Sequence, residues 1–162
     1  MNLEDIKKNI LVLDCETWAE DKNGREVSIR TNFDEYVMLA KCRWFGAYSY
    51  RDNKEYYLEV SKDHKKISDL LDTHTILVGF NLEEFDYPII QNNGLIYNEK
   101  KYNQIDCMKI LGASSFIDKK GFKYKNRGEL MGYKFKSNSL ECIARTMGLE
   151  FQKSTIDYKI FQ

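Results

Sequence analysis

Two rhythms of apolar and polar positions run along this chain. Ile10-Leu11-Val12-Leu13 is a run of aliphatics that stops at Asp14-Cys15-Glu16-Thr17. It reads as a central strand over about residues 9–14, buried on both faces as in a parallel sheet. Thr75-Ile76-Leu77-Val78-Gly79-Phe80 is a second run of the same kind. Between them, the stretch from about Met38 to Tyr50 and the stretch Glu55–Val60 are rich in aromatic and β-favouring residues. Arg51-Asp52-Asn53-Lys54 supplies turn chemistry between the two, which predicts an antiparallel meander. Residues 2–8 read as a polar lead-in. Glu20-Asp21-Lys22-Asn23-Gly24-Arg25 reads as a loop or a loose hairpin.

The helical rhythm begins after Ser61, an N-cap candidate with Asp63 in the first turn. Ile67, Leu70 and Leu71 are spaced for one buried face up to about Asp72, with His64 as a surface residue. Asn81 with Glu84 resembles a capping box, worth about 1 kcal/mol. A helix starting there would carry Pro88 in its interior, at a cost of roughly 3 kcal/mol. The proline therefore predicts a turn at 81–85 and a helix from about Asp86. A short strand, Gln104 to Met108, follows. A last helix carries Leu140, Ile143, Ala144 and Met147, capped by Asn138 with Glu141 and stopped at Gly148. Residues 112–136 give no clear element.

This order predicts an α/β fold: a mixed five-stranded sheet, three strands antiparallel and two parallel, flanked by helices. The strands at 9–14 and 75–80 would lie side by side and parallel, so their carboxyl ends coincide. Open α/β sheets place ligands there. Asp14 and Glu16 share one face of the first strand, because side chains alternate. Two carboxylates leaving a buried strand together suit a hard divalent cation; the alternative is that the strand simply ends and its acids are solvated. Asp86, opening the helix after the second strand, would bring a third carboxylate to the same sheet end.

Composition narrows the classes. At 162 residues, with 43% hydrophobic and 31% charged positions, a single soluble globular domain is expected. The formal net charge of zero removes any global attraction to nucleic acid, so such binding would need a local patch or a metal. Cys15, Cys42, Cys107 and Cys142 form no CxxC pair, which argues against zinc and for reduced thiols in a cytoplasmic protein. The opening residues are not a signal peptide, and no apolar run approaches membrane-spanning length, so no membrane partner is expected.

Leu13-Asp14-Cys15-Glu16-Thr17 resembles the first motif of the DEDD 3′–5′ exonucleases. Gly79-Phe80-Asn81, followed after three residues by Phe85-Asp86-Tyr87-Pro88, is similar to their second motif, above all in the proofreading-exonuclease-like proteins related to family B polymerases. The likeness covers about residues 9–150 and implies a ribonuclease H-like fold. It implies a 3′–5′ exonuclease acting on single-stranded DNA, or RNA, with two divalent ions, Mg2+ or Mn2+. By that resemblance Asp14 would bridge both ions, Glu16 would bind one, and Asp86 would hold the second through water. The catalytic set would be Asp14, Glu16 and Asp86, with Thr17, Trp18, Asn81 and Phe85 on the substrate side. For Asn81 the alternative is a residue that only satisfies turn backbone; for Trp18 it is a core residue.

The family's third motif, Tyr-x3-Asp or His-x4-Asp on a late helix, is not found. Tyr102-x3-Asp106 matches in spacing but lies across a predicted strand, where Asp106 would anchor the strand end. His64-x4-Asp69 falls before Asp86, in the wrong order. The expectation is a domain incomplete at its C-terminus. The rival is an impaired or split nuclease fold that binds nucleic acid or a protein, such as a polymerase, a helicase or the remaining nuclease segment. Lys119 to Arg127 and Tyr133 to Lys136 alternate basic and aromatic residues, which suits single-stranded nucleic acid; the alternative is a solvated loop.

Overall fold

A computed structural model describes residues 2–96, 102–111, 116–117, 123–124, 133, 135–137 and 139–149. The chain divides into two units, Met1–Cys107 and Met108–Gln162. In the first, helix α1 (Leu3–Lys7) precedes strand β1 (Ile10–Trp18). Helix α2 (Phe33–Leu39), strands β2 (Lys41–Ser49) and β3 (Lys54–Glu59), and helix α3 (Val60–Asp72) follow. Strand β4 (Ile76–Gly79), helix α4 (Asp86–Asn92) and strand β5 (Asn103–Asp106) complete it, and helix α5 (Cys107–Leu111) begins at its last residue.

The sheet order is β3-β2-β1-β4-β5. The pairs β1–β2 and β2–β3 are antiparallel, and β1–β4 and β4–β5 are parallel. This is the ribonuclease H-like mixed sheet that the sequence predicts. The loose hairpin also forms: Glu20 bridges Glu26, and Asp21 Oδ1 accepts the N–H groups of Asn23 and Arg25.

Three boundaries and one burial pattern differ from expectation. β1 does not stop at its acids. It runs on to Trp18 because β2 pairs with it from Leu11↔Ser49 to Trp18↔Lys41, whereas β4 accompanies only Ile10 to Val12. Nor is β1 buried on both faces. Leu11, Leu13 and Cys15 are buried, Ile10 and Val12 are half-buried, and Asp14 and Glu16 are exposed. The buried side chains join Phe45, Leu58, Ile67, Leu71, Leu77, Ile89 and Ile90 in one core. Met38 and Leu39 belong to α2 rather than to β2, because Asn32 caps a helix by accepting the Glu35 N–H at 3.1 Å. α3 starts at Val60, one residue before the predicted cap, and Ser61 Oγ instead donates to Glu59 Oε1 at 2.7 Å.

Pro88 acts as predicted. α4 begins at Asp86, so the proline falls in the first turn, where no intrahelical donor is needed.

In the second unit, strands β6 (Phe116–Ile117) and β7 (Lys123–Tyr124) pair antiparallel, and helix α6 spans Leu140–Thr146. Its cap is Ser139, whose Oγ accepts the Cys142 N–H at 3.2 Å; the expected cap, Asn138, lies outside the described residues. Gly148, at φ +71°, ends the helix as expected, with Leu149 N–H bonded to Ala144 O at 2.9 Å. Among the described residues no helix is long and apolar enough to cross a membrane.

Candidate functional site

The ladder between β1 and β4 ends at Val12↔Val78, which leaves the β4 side of β1 without a strand neighbour at Cys15. The carboxylate of Asp86 takes that place. Its Oδ1 accepts the Cys15 N–H at 2.9 Å across a sequence separation of 71 residues. The turn after β4 thus delivers Asp86 to the stretch of β1 that carries Asp14 and Glu16.

Asp86 is 1% exposed, and its carboxyl is pushed up to about 7. Burial is the main cause and the nearby charge of Asp14 the second; the Cys15 N–H works the other way. Asp14 is exposed by surface area, yet enough protein surrounds its carboxyl for desolvation to raise its pKa as well. The Cys15 thiol is also pushed up, first by a hydrogen bond with Cys42, then by burial, and further by the charges of Cys42, Asp86 and Asp14. Two carboxylates therefore share one electrostatic neighbourhood, and at least one resists ionisation there.

Glu16 shares Asp14's strand face and is exposed. Beside it, β2 carries a bulge: Glu16 pairs with Trp44 and Thr17 with Cys42, so Arg43 is the extra residue. Among the described residues, no three His, Cys, Asp or Glu side chains are grouped so as to hold a metal ion.

The turn before Asp86 is held from the far side. Asp106, 2% exposed at the end of β5, accepts the Asn81 N–H on Oδ1 at 3.0 Å and the Glu83 N–H on Oδ2 at 3.2 Å. Both oxygens anchor backbone, which is the structural role expected for Asp106. Tyr102 is likewise buried and donates its hydroxyl to Leu71 O at 3.3 Å. Asp69 pairs with Lys65 on the surface at 2.6 Å.

The grip of Asp106 holds Asn81 at φ +61°, a left-handed conformation that asparagine tolerates better than most residues. The Asn81 side-chain oxygen is buried and has no hydrogen-bond partner. Trp18 is 41% exposed, so it is not a core residue.

Sequence reasoning missed Tyr36. Its hydroxyl lies 2.9 Å from Thr17 Oγ1 and donates to Thr17 O at 3.1 Å. Its ring lies 6.1 Å from that of Phe85, at 13°, and Phe33 meets Phe85 at 6.2 Å. One residue of α2 therefore touches both Thr17 and Phe85. The signal was present: Asn32-x2-Glu35 caps a helix whose Phe33, Tyr36 and Val37 follow helical spacing.

Of the basic and aromatic stretch, Tyr133 and Phe135 stack with centroids 5.9 Å apart, and Lys123 and Tyr124 lie in β7. Lys119, Lys120, Gly121, Phe122, Lys125, Asn126, Arg127 and Lys134 lie outside the described residues.

The donor chemistry fits a hard cation in part. Asp14 and Asp86 are oxygen donors whose mutual repulsion a divalent ion would relieve, and Glu16 lies one strand step beyond Asp14. A second ion would need ligands beyond these three.

No protein-family model matches the chain, and no curated protein matches it. Among solved structures, it is similar to a family B DNA polymerase from the hyperthermophilic archaeon Pyrobaculum calidifontis, with a TM-score of 0.45 and 12% identity. The alignment covers 87% of this chain and 18% of the polymerase chain.

Proposed function

We propose that this chain is a divalent-metal-dependent 3′–5′ exonuclease module acting on the ends of single-stranded DNA. The supporting observation is the electrostatic pairing of Asp14 with buried Asp86, with Asp86 held by the backbone of the strand that carries Asp14. Asp14 and Asp86, with Glu16 one strand step beyond, would be the oxygen donors to Mg2+ or Mn2+, although the three do not form a ready ligand group. When bound, the ion supplies activation of water and neutralisation of charge on the phosphate oxygens. The remaining work falls to the chain itself. Burial of Asp86 keeps water from its own carboxyl, while Asp14 stands exposed beside it. Thr17, Trp18, Asn81 and Phe85 would lie on the substrate side, where Trp18 offers an exposed ring for stacking.

The test is release of mononucleotides from a 3′-labelled oligonucleotide by the full chain, with Mg2+ or Mn2+ and with the Asp14→Ala variant as control. Activity that needs the metal and is lost in Asp14→Ala supports the reading. Inactivity of a folded protein with both metals rejects it.

A second reading, an impaired or split nuclease fold that binds nucleic acid, is favoured by a separate observation. Asp106, the acid at tyrosine-form spacing, is buried and accepts a backbone N–H of the turn after β4 on each of its oxygens, a structural role. That reading predicts oligonucleotide binding that survives both EDTA and Asp14→Ala. A split enzyme would instead regain activity when a segment carrying a Tyr-x3-Asp helix is added.

A further inference from the structure

The Tyr36 hydroxyl has one proton and makes two contacts with the same residue. The Thr17 carbonyl can only accept, so Tyr36 Oη donates to it at 3.1 Å. The 2.9 Å contact with Thr17 Oγ1 is then a hydrogen bond only if the threonine hydroxyl donates its own proton to Tyr36. With both contacts made as hydrogen bonds, the Thr17 proton points at Tyr36, and Oγ1 offers a ligand only its lone pairs. The tyrosine ring is held in turn against Phe85 and, through it, Phe33.

We propose that Tyr36 is a positioning residue that makes Thr17 an obligate hydrogen-bond acceptor and thereby selects a substrate end carrying a hydroxyl donor, such as a free 3′-hydroxyl. This inference rests on the proposed action at 3′ ends. It adds a residue from α2, outside both motifs, and a stated polarity. A hydroxyl end donates to Thr17. An end of the same size that cannot donate meets lone pair against lone pair.

The experiment compares two oligothymidylates, one ending in a 3′-hydroxyl and one in a 3′-fluoro group, by fluorescence anisotropy with the full chain in Ca2+. Fluorine approximates the size of the hydroxyl and lacks its proton. The wild type should bind the hydroxyl end about tenfold more tightly, the scale of one hydrogen bond lost against an unpaired acceptor. Tyr36→Phe keeps the ring against Phe85 and releases the Thr17 rotor, so the preference should fall to about twofold or less. Thr17→Val, which keeps the branched shape, should lose it too. Unfolding monitored by circular dichroism separates these effects from loss of fold, and a change in preference is not what a merely structural role would give. Equal binding of the two ends by the wild type overturns the inference and leaves the exonuclease reading standing. So does an unchanged preference in Tyr36→Phe. Failure of the wild type to bind either oligonucleotide overturns both.

Discussion

Asp86→Asn should stabilise the metal-free protein, and the gain should grow with pH. In the native state the Asp86 carboxyl is pushed from an ordinary value near 3.8 up to about 7. Between those values the folded protein binds a proton that the unfolded chain releases, so stability falls as pH rises. The favourable contribution of the neutral carboxyl is fully present below about pH 4 and is gone above about pH 7. At roughly 1.4 kcal/mol for each pH unit, the difference amounts to about 4 kcal/mol, an upper figure because the site can relax or admit water. Asparagine keeps an oxygen for the Cys15 N–H and carries no charge, so it escapes this loss. Urea unfolding in EDTA at pH 5.0 and pH 8.0 checks it. The wild type should lose about 2 kcal/mol or more between the two, and Asp86→Asn much less. Mn2+ or Mg2+ should restore the wild type at pH 8.0 by mass action and leave the variant unmoved. A wild type whose stability is flat across this range, or a variant destabilised equally at both values, would refute the reasoning.

Three further outcomes test other parts of the site. Asp14→Asn should lower the pKa of Asp86, since the Asp14 charge is its second-largest perturbation; carboxyl-carbon NMR titration reads this directly. Asp106→Ala removes the acceptor for two backbone N–H groups beneath the turn and should cost about 2–4 kcal/mol in urea unfolding. Gly79→Ala should destabilise by about 1–3 kcal/mol in thermal melts, because a Cβ there would meet the fixed carbonyl of Leu13 at 3.2 Å and Leu82 Cβ at 3.1 Å.

The sheet was legible because its signals are local. Aliphatic runs, turn chemistry and the conflict between a capping box and Pro88 each decide an element within a few residues. The position of Asp86 follows from that proline alone. What was not legible depends on partners distant in sequence. Nothing in Asp14-Cys15-Glu16-Thr17 says that β1 continues to Trp18, because β2 supplies that extension after a helix has intervened. α2 was hidden by its own overlap: Met38-Leu39-Ala40 runs into β2 and reads as strand, although Asn32 and Glu35 mark a helix start. Asp106 could be guessed as an anchor, but the two N–H groups it holds lie 25 and 23 residues earlier. The pairing of Asp14 with Asp86 was expected from topology; the extent of Asp86's burial was not.

That reach of Asp106 bears on how the site comes into being. β5 is one of the two edge strands of the sheet, and parallel pairing at a sheet edge is a late and costly contact for a growing chain. Yet the left-handed turn at Asn81 is clamped only once β5 has docked on β4. A ribosome that has released residues only as far as Asn92 has already supplied Asp14, Glu16 and Asp86, but not the strand that locks the turn between them. The carboxylates are translated before the acid that clamps the turn between them, so the nascent chain carries the ingredients of the site before it holds the residue that fixes their turn.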